Sequence, residues 1–299
     1  MDTMLSQVAA GMLHTFEPLN ILVMVVGLAV GYIALILEAP QFLGNQYTTE
    51  NVRLFAGLGF AFGFGLIGFI DDYMKVVHTR NLGLTAKGKI VLQIVVSALY
   101  IFVMHRFGAC DTTMRIPFIG SFDFGVWYYV LMMLVIIFMV NAVNLTDGID
   151  GLATTVTFVV SVGFIVISTL LGYIGTGLFA TAIAGACVGF VIWNFYPAKV
   201  FMGDTGSMFL GGAVVAMAYG VDFPLLVLVA GVVYAIEALS VVIQVTYFKL
   251  THGKRLFKMT PIHHHFELSG FSEVKIDVTF AIAAALGAAV AVAAALFTP

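Results

Sequence analysis

Three consecutive histidines beside a carboxylate, in Pro261-Ile262-His263-His264-His265-Phe266-Glu267, stand in the longest polar segment of a chain that is otherwise lipid-soluble. Folding or anchoring a membrane helix does not need them. Three more polar clusters carry carboxylates: Asp71-Asp72, Asn144-Leu145-Thr146-Asp147-Gly148-Ile149-Asp150-Gly151 and Phe201-Met202-Gly203-Asp204-Thr205-Gly206-Ser207. Carboxylates, amides, hydroxyls and imidazoles at helix ends suit the handling of phosphate groups and of a hard metal ion. Asp204 is a natural ligand for Mg²⁺, which takes one or two carboxylates and completes its shell with phosphate oxygens and water. The backbone N–H groups around Asp204, ahead of a helix, suit a phosphate, although Thr205 or Ser207 as N-cap would equally explain the polarity. Zinc is disfavoured at the histidines: adjacent side chains diverge, and no cysteine stands nearby. Hydrogen bonds to phosphate oxygens, or shaping of the loop, fit them better.

The other clusters have plainer readings as well. Asp71-Asp72 follow an apolar run, and two adjacent carboxylates repel, which tends to raise the pKa of one; a solvated helix end is the alternative. Lys75 shares a helical face with them at i+4 and i+3 and is either their ion-pair partner or a phosphate contact. An Asx-capped turn would need one aspartate in Asn144–Gly151, and the segment offers two, with Asn144 and Thr146. Glu237 sits mid-span, with Gln244 one to two turns on; an intramembrane ionisable group is a functional candidate or a neutral bridge between helices.

These residues need elements that gather them at one end of a membrane domain. The 299 residues are 61% hydrophobic and 10% charged, with mean hydropathy +1.07. Several runs reach the roughly 20 residues that cross a bilayer. The pattern predicts an all-α, polytopic helical bundle with nine spans, over 19–37, 53–70, 90–107, 125–143, 152–172, 176–194, 207–221, 223–248 and 276–298. Residues 1–18 are expected to form a short cytoplasmic segment, and 19–299 one membrane domain. Cys110 and Cys187 read as unpaired. Loops 71–89, 144–151, 195–206 and 249–275 fall on one side with Lys75, Arg80, Lys87, Lys89, Lys199, Lys249, Lys254, Arg255, Lys258 and Lys275; the other side holds Arg53, Arg106 and Arg115. That imbalance puts all four polar clusters on the cytoplasmic side.

Four stretches together resemble the phospho-N-acetylmuramoyl-pentapeptide transferases: Gly68–Lys75, Asn141–Ala153, Pro197–Ser207 and Phe257–Glu267. The aspartate motifs are shared across the wider superfamily of polyprenyl-phosphate sugar-1-phosphate transferases, and the Pro-Ile-His-His-His-Phe-Glu run favours the muramoyl-pentapeptide branch. The resemblance implies that UDP-N-acetylmuramoyl-pentapeptide and undecaprenyl phosphate give lipid I and UMP with Mg²⁺, at the cytoplasmic face of a bacterial inner membrane. It implies that Asp204 holds the metal, that Asp71 serves as base or phosphate anchor supported by Asp72, and that Phe201 stacks on uracil. Asp150 and Gln244 would help read the nucleoside. Asn144, Asp147, Asn194, Lys75, Lys87, His263, His264 and His265 would line the phosphate and sugar cleft. The expected partners are the two substrates, the bilayer and a second copy of the chain, with no nucleic acid.

Family members have ten spans and a basic Gly-Thr-Pro-rich loop ahead of the position of Asn20; Met1–Pro18 lacks that pattern, so the first helix and the loop's lysine are expected to be missing. A transferase for another UDP-sugar, such as UDP-N-acetylglucosamine, is the near alternative, and an inactive truncated homologue a second. A transporter is disfavoured, because transporter sites lie near the bilayer midplane.

Overall fold

The computed structural model describes residues 49–77 and 83–299; the expected segment 1–18 and the expected span 19–37 lie outside them. The described chain forms α1 (Thr49–Val77), α2 (Ala86–Arg106), β1 (Thr113–Ile116), β2 (Gly120–Asp123), α3 (Trp127–Thr146), α4 (Leu152–Leu171), α5 (Ile174–Asn194), α6 (Gly203–Gly220), α7 (Leu226–Ala230), α8 (Val232–Leu250), α9 (Ile262–Glu267) and α10 (Glu273–Phe297). Seven of these helices, α1 to α5, α8 and α10, are long and apolar enough to cross a membrane. The chain is a polytopic helical membrane protein.

Helix α6 is the axis of the bundle. It is buried without interruption from Leu210 to Gly220, and its most extensive partner is α1. Lipid offers helices no hydrophobic reason to associate, so close packing of small residues must supply the attraction. Gly57 faces Ala216, Gly65 faces Phe209, and Gly212 faces the Ala61 backbone. At Gly68 the approach is closest: a Cβ there would overlap the backbone carbonyl of Asp204. Gly211 meets the Val140 backbone of α3 in the same way. Around this centre, α2 packs on α1 and α3, α4 on α5 and α10, and α8 on α3 and α10. The outer faces carry Val91, Val95, Leu99 and Phe102 on α2 and Val278, Ile282, Leu286 and Val290 on α10, all exposed, as a lipid-facing surface requires. Where α2 and α3 meet inside the bundle, Gln93 and Asn141 exchange amide hydrogen bonds of 3.2 and 2.8 Å, which satisfies both without water.

The end of the bundle away from the aspartates is tied by polar contacts. Arg53 Nε donates to Ala109 O at 2.9 Å and its Nη2 pairs with Asp222 at 2.7 Å, while Gly175 N–H donates to Glu50 at 3.0 Å.

Two features depart from the expected elements. The span expected over 223–248 is broken at Gly231 into α7 and α8. Gly231 stands at the break with no room for a side chain: a Cβ there would lie 2.6 Å from Val227 O and 2.7 Å from Met139 Cε. The antiparallel hairpin β1–β2, registered Thr113↔Asp123 to Ile116↔Gly120, was not expected. It turns through Phe118 at φ 65° and is fastened by Phe118 N–H to Thr298 Oγ1 at 2.9 Å.

Gly68→Ala is expected to force α1 from α6 and to destabilise the detergent-solubilised protein by about 1–3 kcal/mol, as overpacking does. Gly59→Ala, where the added methyl meets nothing within 4 Å, should leave the thermal midpoint unchanged or slightly raised. Thermal unfolding of both variants checks the pair, and equal midpoints would contradict the close crossing.

Candidate active site

The α1–α6 crossing sets the carboxylates. Asp71 and Asp72 are successive residues in the last turns of α1, so about 100° of helical rotation sends them to different partners. Asp71 is buried; its Oδ1 accepts from Leu84 N–H at 2.7 Å and its Oδ2 pairs with Lys75 at 2.6 Å. Asp72 turns to the start of α6, where its Oδ2 accepts from Thr205 N–H at 2.9 Å and from Thr205 Oγ1–H at 2.8 Å. Thr205 or Ser207 as N-cap of α6 was the plainer reading of this segment. The helix has no side-chain cap of its own, and Asp72 fills that role from another helix, where a negative charge also meets the positive end of the helix dipole. Gly203, with φ 62°, brings the chain round; a Cβ there would lie 2.8 Å from Asp72 Oδ2.

Asp204, in the first turn of α6, completes the group. One oxygen from each of Asp71, Asp72 and Asp204 lies within 4.8 Å of the others. Three carboxylates so close require cations. Lys75 Nζ reaches Asp204 Oδ2 at 2.9 Å and Asp72 Oδ1 at 3.4 Å, and Lys89 Nζ reaches Asp204 Oδ2 at 3.0 Å. Asn144, in the last turn of α3, donates through Nδ2 to Asp204 Oδ1 at 2.9 Å and to Ser207 Oγ at 2.8 Å; Ser207 passes its own proton to Gly203 O at 2.8 Å.

The loop after α3 continues the site. Burial, then the nearby charges of Asp204 and Asp72, push the Asp147 carboxyl up to about 7. Asp150 Oδ2 accepts from Ala198 N–H at 2.8 Å, which ties this loop to the segment carrying Phe201. Phe201 is 73% exposed, a large apolar ring on the surface. His264 and His265 are half-buried; His264 Nδ1 contacts Glu267 Oε2 at 2.9 Å. Lys258 N–H donates to His265 Nδ1 at 3.1 Å, so the neutral ring of His265 carries its proton on Nε2.

Other expected site residues are differently employed. Asn194 is buried, with Oδ1 accepting from Thr154 Oγ1–H at 2.9 Å and Nδ2 donating to Val200 O at 3.0 Å. Gln244 clamps the loop after α8: its Oε1 accepts from Leu256 and Phe257 N–H, both at 3.0 Å, and its Nε2 donates to Phe257 O at 3.1 Å. His263 is wholly buried. Lys87 is exposed, whereas Lys89, two residues on, pairs with the cluster. Lys89 was not among the expected site residues. Its signal was a cation in the first turn of α2, where the helix dipole disfavours positive charge unless an acidic group compensates it.

The fold and the cluster define an integral membrane protein with an acidic, lysine-balanced cluster at one end of its helices. The sequence profile of glycosyl transferase family 4 matches residues 54–222. Similar proteins include the phospho-N-acetylmuramoyl-pentapeptide-transferase of Clostridium perfringens strain 13, 44% identical over 80% of this chain and 74% of the relative. The protein of that name from Shouchella clausii is 48% identical over 73% and 67%, and the one from Caldicellulosiruptor bescii is 46% identical over 85% and 77%. The chain belongs to glycosyl transferase family 4 and, within it, to the phospho-N-acetylmuramoyl-pentapeptide transferases. It is a transferase.

Two expectations follow. Lys89→Met should lower turnover by on the order of 10²–10³-fold, as loss of one preorganised donor does, and Lys87→Met should cost less; steady-state rates of the two variants decide it. A carboxyl raised as Asp147 is destabilises the fold once the unfolded chain ionises. That stability is lost as pH rises from the ordinary carboxylate value of 3.8 towards about 7, and is constant above it. Asp147→Asn should therefore raise the thermal midpoint at pH 7.5 and leave it unchanged below pH 3.8, in chelator-treated protein.

Proposed function

We propose that this chain moves phospho-N-acetylmuramoyl-pentapeptide from UDP-N-acetylmuramoyl-pentapeptide to undecaprenyl phosphate, releasing UMP and forming lipid I. It would act at the cytoplasmic face of a bacterial inner membrane, with Mg²⁺. The observation that carries this reading is the cluster of Asp71, Asp72 and Asp204, balanced by Lys75 and Lys89, at the end of a lipid-facing bundle. The names of the relatives supply the sugar-peptide group, and the gathering of basic residues at this end supports the cytoplasmic face.

The donor set fits Mg²⁺: three hard carboxylate oxygens lie close enough to share one ion, and Mg²⁺ prefers oxygen ligands and keeps places for phosphate. Asp204 would hold it, and when bound it supplies neutralisation of charge on the pyrophosphate. The chain's own groups do the rest. Lys75 and Lys89, now on Asp204, are placed to turn to phosphate oxygens when the donor enters. Asp71, fixed by Leu84 N–H, holds the Lys75 ammonium where it can anchor the lipid phosphate. Asn144 orients Asp204, and Phe201 offers its exposed ring to the uracil. A phosphate monoester has a second pKa near 6 and is largely ionised at neutral pH, so its oxygen needs no strong base. It attacks the sugar-linked phosphorus; that new P–O bond forms as the bond to the bridging oxygen breaks, and the bridging oxygen leaves on UMP. Positioning and charge stabilisation carry such a transfer, which favours direct attack over a covalent aspartyl intermediate.

UMP release from UDP-N-acetylmuramoyl-pentapeptide is the test. It should require undecaprenyl phosphate and Mg²⁺ and should fall by on the order of 10²–10³-fold in Asp204→Asn. Release that ignores Asp204, or that proceeds with UDP-N-acetylglucosamine instead, would overturn the assignment.

A further inference from the structure

Glu237 has no role in the chemistry just described, yet it is a fully buried carboxylate in a membrane helix. Its surroundings leave Oε1 buried without a hydrogen-bond partner and bring α9 to Oε2. Helix α8 packs in the bundle through Val233, Tyr234, Glu237, Ala238 and Ser240, and beyond that Gln244 alone is buried, so the second half of α8 projects from the bundle. The chain then folds back and inserts α9 beside Glu237. His263 Nδ1 lies 3.1 Å from Glu237 Oε2, and His263 N–H points at the same oxygen from 3.5 Å. Both side chains are 0% exposed.

The far edge of the imidazole packs on the aspartate loop. His263 Nε2 is buried without a hydrogen-bond partner and faces Gly148, where any side chain would collide with the ring. Gly148 is the residue after Asp147, in the loop whose Asp150 holds Ala198 N–H. A buried carboxylate with a single imidazole partner is a poor means of stabilising a helix pair, since an apolar pair of the same size commonly does as well or better. What the polar pair supplies is orientation: a carboxylate accepting from Nδ1–H fixes both the tautomer and the ring plane, as it does behind metal-binding histidines.

We propose that Glu237 is a positioning residue that acts through His263, holding the imidazole with its proton on Nδ1 so that the ring sets the Asp147–Asp150 loop and presents His264 and His265. Of the three histidines, His263 is the one that shapes the site and does not touch substrate. The inference rests on the transferase reading above for its kinetic consequences and on geometry alone for the proton.

The test combines kinetics with a direct readout of the proton. In ¹⁵N-histidine-labelled protein, the signal absent from His263→Asn should report a protonated Nδ1 in the wild type. Glu237→Gln keeps an acceptor oxygen and should retain kcat within about threefold. Glu237→Ala should lose about tenfold or more in kcat with little change in KM for the nucleotide substrate, as misplacement of a site does. Glu237→Ala/His263→Ala should be no worse than His263→Ala, because a residue acting through another loses nothing further once its partner is gone. An unprotonated Nδ1 in the wild type, equal losses in the Gln and Ala variants, wild-type kcat in Glu237→Ala, or additive losses in the double variant would each overturn the proposal. Should Glu237→Ala fail to fold, the wild-type Nδ1 state and the Gln variant still decide. Should the wild type release no UMP, the transferase reading fails, while the Nδ1 signal still decides the pairing of Glu237 with His263.

Discussion

Gly68 rests against the carbonyl of Asp204 with no space for a side chain, and this one contact brings the end of α1 to the start of α6. Asp71, Asp72 and Asp204 meet because two helices cross there, and the crossing is as close as it is because its residues are small. The electrostatic cost of the meeting is countered in three ways: Lys75 and Lys89 bridge the carboxylates, the N-terminus of α6 faces Asp72, and Asn144 donates to Asp204. On the proposed reading, an incoming metal ion and pyrophosphate would replace each half of these ion pairs.

Around the cluster, the candidate residues divide by burial. Asn194, Gln244 and His263 are buried, and their polar contacts run to backbone or to other side chains. Phe201 is exposed, and Asp147, His264 and His265 are half-buried. A polar residue inside a membrane protein need not touch a ligand to matter: Gln244 closes three hydrogen bonds on the loop that leads back to α9.

The helices were legible because lipid demands long apolar runs: seven of the eight spans expected over the described residues fall on helices long and apolar enough to cross a membrane, 223–248 shortened to α8, while the expected span 207–221 is α6, which is not among those seven. The hairpin was not, because its strands are four residues each, too short for an alternating pattern to stand out. Nor was the break at Gly231, a single glycine inside a continuous apolar run. The clustering of the aspartates followed from which side each loop must occupy. Residue by residue, sequence reasoning chose Lys87 where Lys89 makes the ion pair, since both lie in one helical turn and the return of 83–89 towards Asp71 decides between them. It could not separate His263 from His264 and His265, because what sets His263 apart is Glu237, 26 positions away.

The central claim is that the α1–α6 crossing builds one divalent-cation site on Asp204. Electron paramagnetic resonance of Mn²⁺ titrated into the purified protein in detergent, without substrates, tests it most directly. One bound Mn²⁺ per chain that competes with Mg²⁺ and is lost in Asp204→Asn is the predicted result. Mn²⁺ binding that persists unchanged in Asp204→Asn would contradict the account.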